Sequence, residues 1–471
     1  MKTNDANSLF GFRLSEDFLI GTANSAFQSE GAWDRDGKTP SIMDHFAKLY
    51  AGKSPAARKK EGSAGGAPQP NSEDLTDRGC FFYDNYEAYI EDMAKTGQNT
   101  YRLSLSWPRI IPQGVGEVNP KGIEFYNKVI DKLLSHGITP FVDLYHWDLP
   151  MPLFEKGGFE NPEFPEWFEA YAKVCFEAFG DRVKLWSTFN ETHCSIRAGY
   201  LTGRFPPYVM DRKRSTQAGH HVILAHFRAI RLYRSMNLDG KIGIVNCMQP
   251  NTPAEMTEED LGAANRNMAN QLNWWTEPLV RGKYPDILLN YSQEVRDTMP
   301  ENYQEDLDKW FAPMDFLGLN YYTYGRTKFA ENALGFSGTE SFYSEPGQAY
   351  APYPAGLIDL VQYAAELCPG MDLYITENGC AIPNIYNEEK ECDDPERITY
   401  LREHLRGVVR CIRAGYPVKG YFYWNDADSY EIQDGYRLRF GLTWVDHNTG
   451  RRRWKKSRYY FSKVCKTRLI D

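Results

Sequence analysis

The chain has 471 residues, of which 42% are hydrophobic and 25% charged. That balance is ordinary for a globular protein and excludes a disordered, collagenous or disulfide-scaffold chain. Lys and Arg number 54 against 63 Asp and Glu, a net charge of −9, which argues against a nucleic-acid partner.

In chain order, Met1 to Leu14 is polar and lacks the apolar stretch of a secretory signal. No later apolar run approaches the ~18–20 residues that span a bilayer, so no membrane partner is expected. Lys53 to Asp74 is rich in Ala, Gly, Pro, Ser and charge. It reads as a surface loop at about 53–74 within one catalytic domain over 1–471, because the segments on either side belong to a single series. Nine cysteines are scattered without any Cys-x-x-Cys pair. A zinc or redox motif is therefore not expected, and a reducing cytoplasm is the simplest location.

The series consists of eight short apolar, β-branched or aromatic runs: Phe18–Phe27, Thr100–Trp107, Thr139–Trp147, Val183–Asn190, Lys241–Cys247, Phe316–Tyr322, Asp372–Thr376 and Val418–Trp424. Helical periodicity fills Tyr83–Thr96, Pro120–His136, Pro165–Phe179, Thr216–Met236, Leu357–Leu367 and Pro395–Ala414 between them. Alternating strands and helices imply parallel strands joined by crossovers. Eight units predict a (β/α)8 TIM barrel with its site at the C-terminal ends of the strands. A doubly wound sheet is disfavoured, since the first run leads into Gln28-Ser29-Glu30-Gly31 and not into a glycine-rich phosphate turn.

The strand ends are polar or aromatic. They offer Gln28, Arg102 within the second run, His146-Trp147-Asp148, Asn190-Glu191, Asn320-Tyr321-Tyr322, Glu377-Asn378 and Trp424, with Glu431 in the loop beyond. Two glutamates at separate strand ends, with amides and indoles nearby, suit glycoside hydrolysis. One carboxylic acid protonates the leaving oxygen and one carboxylate faces the anomeric carbon. Their environments must push the pKa values apart, and Arg102 is the cation expected to keep one of them ionised. His220-His221 falls on a helical segment and reads as structural. The basic run Arg451 to Arg453 with Lys455-Lys456 reads as a solvated turn. No metal and no cofactor is expected.

Taken in order, Gly21-Thr22-Ala23, Tyr101-Arg102-Leu103-Ser104, His146-Trp147-Asp148-Leu149-Pro150, Thr188-Phe189-Asn190-Glu191, Gly318-Leu319-Asn320-Tyr321-Tyr322, Ile375-Thr376-Glu377-Asn378-Gly379 and Arg439-Phe440-Gly441-Leu442 resemble glycoside hydrolase family 1, the retaining β-glucosidase family. The resemblance runs from about Leu14 to Ser462. It implies that Glu191 is the acid/base and Glu377 the nucleophile. It assigns Gln28, His146, Asn190 and Glu431 to sugar hydroxyls, Tyr322 to the nucleophile and Trp424 to the platform under the ring. Trp147 joins this substrate group, and Arg102 and Asn320 support it. Tyr350 stands where the family's tryptophan flanks the leaving-group site. Departures are Thr192 for the usual proline after the acid/base, Phe81-Phe82 for an Asp-His pair, and Ile432 for the tryptophan after Glu431. The Ser-x-Lys element of the phospho-sugar branch is absent from Gly435 to Arg439.

The expected activity is that of an exo-acting β-glucosidase on small β-glucosides or cello-oligosaccharides. Alternatives are a β-glycosidase for galactose or fucose, a transglycosylase, and a catalytically dead carbohydrate-binding barrel; the presence of both glutamates counts against the last. The partner is a small-molecule β-glycoside, and a homo-oligomer is left open.

Overall fold

The computed structural model describes residues 11–50, 79–339, 352–383, 388–432 and 435–471. The loop expected at about 53–74 and Tyr350 lie outside them. Among the described residues, no helix is long and apolar enough to cross a membrane.

Eight parallel strands close into a barrel. They are β1 Leu19–Ala23, β2 Thr100–Ser104, β3 Thr139–Tyr145, β4 Leu185–Asn190, β5 Lys241–Cys247, β6 Phe316–Asn320, β7 Asp372–Asn378 and β8 Val418–Trp424. Each pairs with its sequence neighbour, and β8 pairs back to β1 with Trp424 opposite Ala23. Helices Phe82–Thr96, Pro120–Ser135, Phe164–Phe179, Arg212–Ser235, Pro354–Leu367 and Pro395–Arg413 cross between strands. Pro120–Ser135 shows why such segments fold as they do. Asn119 caps it by accepting from the Lys121 N–H at 3.2 Å, Pro120 supplies a preset φ at the first turn, and Phe125, Tyr126, Val129, Ile130 and Leu133 form one buried stripe.

The strand boundaries differ from the sequence expectation chiefly at the ends. The first run stops at Ala23, and Gln28 sits on a short helix, Ala26–Ser29, capped by Ser25. Between β5 and β6 the sequence reading places no helix, whereas the structure has several, including Glu258–Met268 and Trp274–Arg281. Pro278 inside the second and Pro285 beyond it interrupt the periodicity there.

Alternate residues point into the barrel. Phe141, Phe316, Tyr374 and Phe422 meet there edge to face, with Phe141 5.3 Å from Phe316 and 5.5 Å from Phe422. This aromatic plug closes the interior. Above it the inward residues become polar.

Two irregularities decide which side chains those are. The β4–β5 register shifts between Ser187 and Asn190, and the β6–β7 register between Ile375 and Glu377. Strict alternation from Leu185 would turn Phe189 inward. Instead Phe189 packs outside against Phe168 at 4.2 Å, and Asn190 faces the interior. Such bulges re-aim side chains.

The basic run near the C-terminus departs from expectation. Arg452–Trp454 is a strand paired with Thr443–Val445. Lys455 is buried and bonds Asp428 at 2.7 Å, so only part of the run is solvated. Asp428 also bonds Arg439 at 2.9 Å, and two cations on one carboxylate make this burial tolerable. His220 and His221 lie on Arg212–Ser235, beside the Tyr284 hydroxyl at 3.1 Å and the Phe159 carbonyl at 2.8 Å.

Candidate active site

The cavity at the C-terminal end of the barrel is lined by Gln28, His146, Trp147, Glu191, Tyr322, Glu377, Trp424, Glu431 and Ile432, among others. These are largely the residues singled out from the sequence. The space in the cavity accessible to water centres is about 160 Å³. Phe205, Leu438 and Phe440 line it as well, residues that the sequence reading does not assign to the site.

Arg102, fully buried on β2, organises the floor. It donates to Glu377 Oε1 at 2.7 Å and to Asn190 Oδ1 at 2.6 Å, and pairs with Asp143 at 2.6 Å. Asp143 was not anticipated, although a carboxylate inside the apolar run of β3 was the available signal. The Tyr322 hydroxyl donates to Glu377 Oε2 at 2.6 Å. Both oxygens of Glu377 thus meet strong donors.

Glu191 lies just past β4 and is held differently. The neutral amide of Asn320 donates to its Oε1 at 2.8 Å, and Thr376 fixes that amide by donating to Asn320 Oδ1 at 2.7 Å. Glu191 has φ 52° and Trp147 has φ 76°. Non-glycine residues in this left-handed region cost about 1–2 kcal/mol each, a local cost that recurs at functional sites.

Both carboxyls are almost wholly buried, at 6% exposure for Glu191 and 3% for Glu377. Burial raises the pKa of each above the ordinary glutamate range, and the charge on Glu191 raises that of Glu377 further. The two titrate as a pair. Arg102 and Tyr322 oppose the rise at Glu377 by favouring its charged form. Arg102 also favours the charged form of Glu191, together with hydrogen bonds from Asn320 and from the thiols of Cys194 and Cys247.

Asn190 Oδ1 accepts from both Arg102 and Asn320, the latter at 3.0 Å. Its Nδ2 therefore donates to His146 Nε2 at 2.9 Å, and one amide N–H remains for a ligand. Gln28 Nε2 donates to the Tyr430 carbonyl at 2.8 Å and reaches Glu431 at 3.4 Å. The Trp147 N–H is committed to the Asn190 carbonyl at 3.1 Å, so Trp147 presents its ring and not its donor. Trp424 stacks near His146, with ring centroids 5.7 Å apart.

A parallel eight-stranded barrel with two interacting, unequally held carboxyls at its strand ends is the arrangement of a glycoside hydrolase, and the protein is one. More particularly, the chain belongs to glycosyl hydrolase family 1, whose sequence pattern matches residues 12–469. It is 38% identical over 461 residues to beta-glucosidase A of Thermotoga maritima, covering 98% of this chain and 99% of that one. It is 35% identical over 490 residues to a 6-phospho-beta-galactosidase of Clostridium acetobutylicum, covering 97% and 98%. The solved structure of the family 1 β-glucosidase from Thermotoga maritima superposes with a TM-score of 0.90 at 37% identity, over 98% of this chain and 100% of that one.

Proposed function

We propose that the protein is a retaining, exo-acting β-glucosidase that cleaves small β-glucosides or short cello-oligosaccharides by double displacement. Glu377 is the nucleophile and attacks the anomeric carbon. Glu191 protonates the departing oxygen, then removes a proton from the water that releases the sugar. The single observation behind this division is the asymmetry of their partners: a guanidinium and a phenol on Glu377, a neutral amide on Glu191. Asn190 holds the 2-hydroxyl with its remaining N–H, where the bond strengthens as the transition state forms. Gln28, His146 and Glu431 take the other hydroxyls, and Trp424 underlies the ring. The phospho-sugar reading suits this pocket poorly, because the Glu431 carboxylate repels a 6-phosphate. Free thiols at all nine cysteines suit a cytoplasmic location.

The test exploits the different demands on the two groups. Glu191→Ala, assayed with a dinitrophenyl β-glucoside, still glycosylates, because that leaving group needs no proton. Azide then restores turnover, since a small anion needs no general base. Glu377→Ala forms no glycosyl-enzyme. Azide rescue with retention in Glu377→Ala, and none in Glu191→Ala, would reverse the assignment.

A further inference from the structure

Two thiols stand beside Glu191 on the cavity wall. Cys194 lies on the π-helical turn His193–Leu201 that follows β4, and Cys247 is the last residue of β5. They are far apart in sequence, so spacing conceals them, but the closed barrel brings these neighbouring strand ends together. A carboxylate oxygen of Glu191 and the sulfurs of Cys194 and Cys247 all lie within 4.8 Å of one another. Neither thiol is in a disulfide, and they alone of the nine cysteines are not fully buried.

We propose that Glu191, Cys194 and Cys247 form a binding site for a borderline-soft divalent cation, zinc or cadmium, whose occupation switches the hydrolase off. The switching half rests on Glu191 being the acid/base. Tetrahedral zinc has Zn–S near ~2.3 Å and Zn–O near ~2.0–2.2 Å, which sets ligand atoms roughly 3.3–3.8 Å apart. From separations of up to 4.8 Å, the trio contracts by at most roughly 1.0–1.5 Å to reach that geometry. Two sulfurs favour zinc or cadmium over magnesium or calcium, which prefer all-oxygen sets. All three residues line the cavity, from which water can complete the shell. Binding is a proton exchange without redox change: the cation and two thiols give two metal–thiolate bonds and release two protons to solvent, and Glu191, where it carries the acid's proton, releases a third before its carboxylate donates a lone pair. A carboxylate committed to a metal can neither protonate a leaving group nor activate water.

The experiment uses reduced, metal-free full-length enzyme titrated with cadmium chloride. The thiolate-to-cadmium charge-transfer absorption and the hydrolysis of an aryl β-glucoside are followed together. The expected result is a band that saturates at one equivalent, with activity lost in parallel and regained on adding EDTA. In Cys194→Ser/Cys247→Ser the band disappears, and hydrolysis, scaled to that variant's own metal-free rate, resists the same cadmium. Glu191→Gln keeps the band but binds roughly tenfold or more weakly, since even an outer-shell partner is worth about 10–100-fold in affinity. Should the double variant fail to fold by circular dichroism, single Cys194→Ala and Cys247→Ala give the same readout. No band, or a band unchanged without the two thiols, overturns the site. A one-equivalent band with full activity overturns the switch alone; the role of Glu191 is judged separately by azide rescue, which involves no metal.

Discussion

Ile432 follows Glu431 on the cavity wall, where an indole would offer an N–H donor and a flat face. Isoleucine offers neither, so on the proposed reading the sugar's 3- and 4-hydroxyls depend on Gln28, His146 and Glu431. A neutral hydrogen bond is worth ~0.5–1.5 kcal/mol net, about tenfold at most. Glu431 keeps part of the discrimination, because charge-assisted bonds are stronger. Ile432→Trp is therefore expected to raise the ratio of kcat/KM for glucosides over galactosides by up to about tenfold. A flat or lower ratio in a folded variant would mean that other contacts already replace the missing donor. Most residues lining the candidate cavity were named from the sequence, because a barrel puts its chemistry at strand ends. Asp143, Cys194 and Cys247 were not, because their roles arise only from contacts between separate strands.

At the scale of elements, all eight strands were legible in order, since parallel barrel strands are buried on both faces and read as near-continuous apolar runs. Their ends were not, because polar strand termini and the short helix Ala26–Ser29 share the same texture as the strands. The bulges in β4 and β7 were invisible for a stronger reason. A register shift belongs to a pair of strands, and strict period-2 counting puts Phe189 in the interior and Asn190 outside. Below these bulges, the aromatic plug fixes how the strands approach. Phe141 is fully buried at its centre and meets Phe316, Tyr374 and Phe422. Phe141→Ala should cost about 3–5 kcal/mol of unfolding free energy, read from urea denaturation. A loss below ~1 kcal/mol would show that the barrel interior collapses around the gap.

For the whole molecule, closure is sealed at the chain ends. Phe12–Arg13 pairs with Leu469–Ile470, and Arg468 donates to the Phe18 carbonyl at 2.7 Å, just before β1. Global stability also carries a pH signature from Asp148, whose carboxyl is pushed by burial up to about 8. An unfolded aspartate titrates near ~3.9. Between those values the folded chain holds the extra proton, so stability falls as pH rises, by at most about 1.4 kcal/mol per pH unit. Above about 8 both states are ionised and the penalty stops growing. Asp148→Asn removes this penalty. The stability of the variant relative to wild type should climb from pH 5 to pH 8 in urea titrations, and a constant difference would contradict the buried, protonated carboxyl. The central claim is the division of labour between the two glutamates that the barrel brings together. It is tested most directly by mass spectrometry of the enzyme after reaction with a 2-deoxy-2-fluoro-β-glucoside bearing an activated leaving group, whose glycosyl-enzyme is slow to hydrolyse. One sugar covalently attached to the peptide containing Glu377 is the predicted result; attachment at Glu191, or turnover with an inverted first product and no adduct, would contradict it.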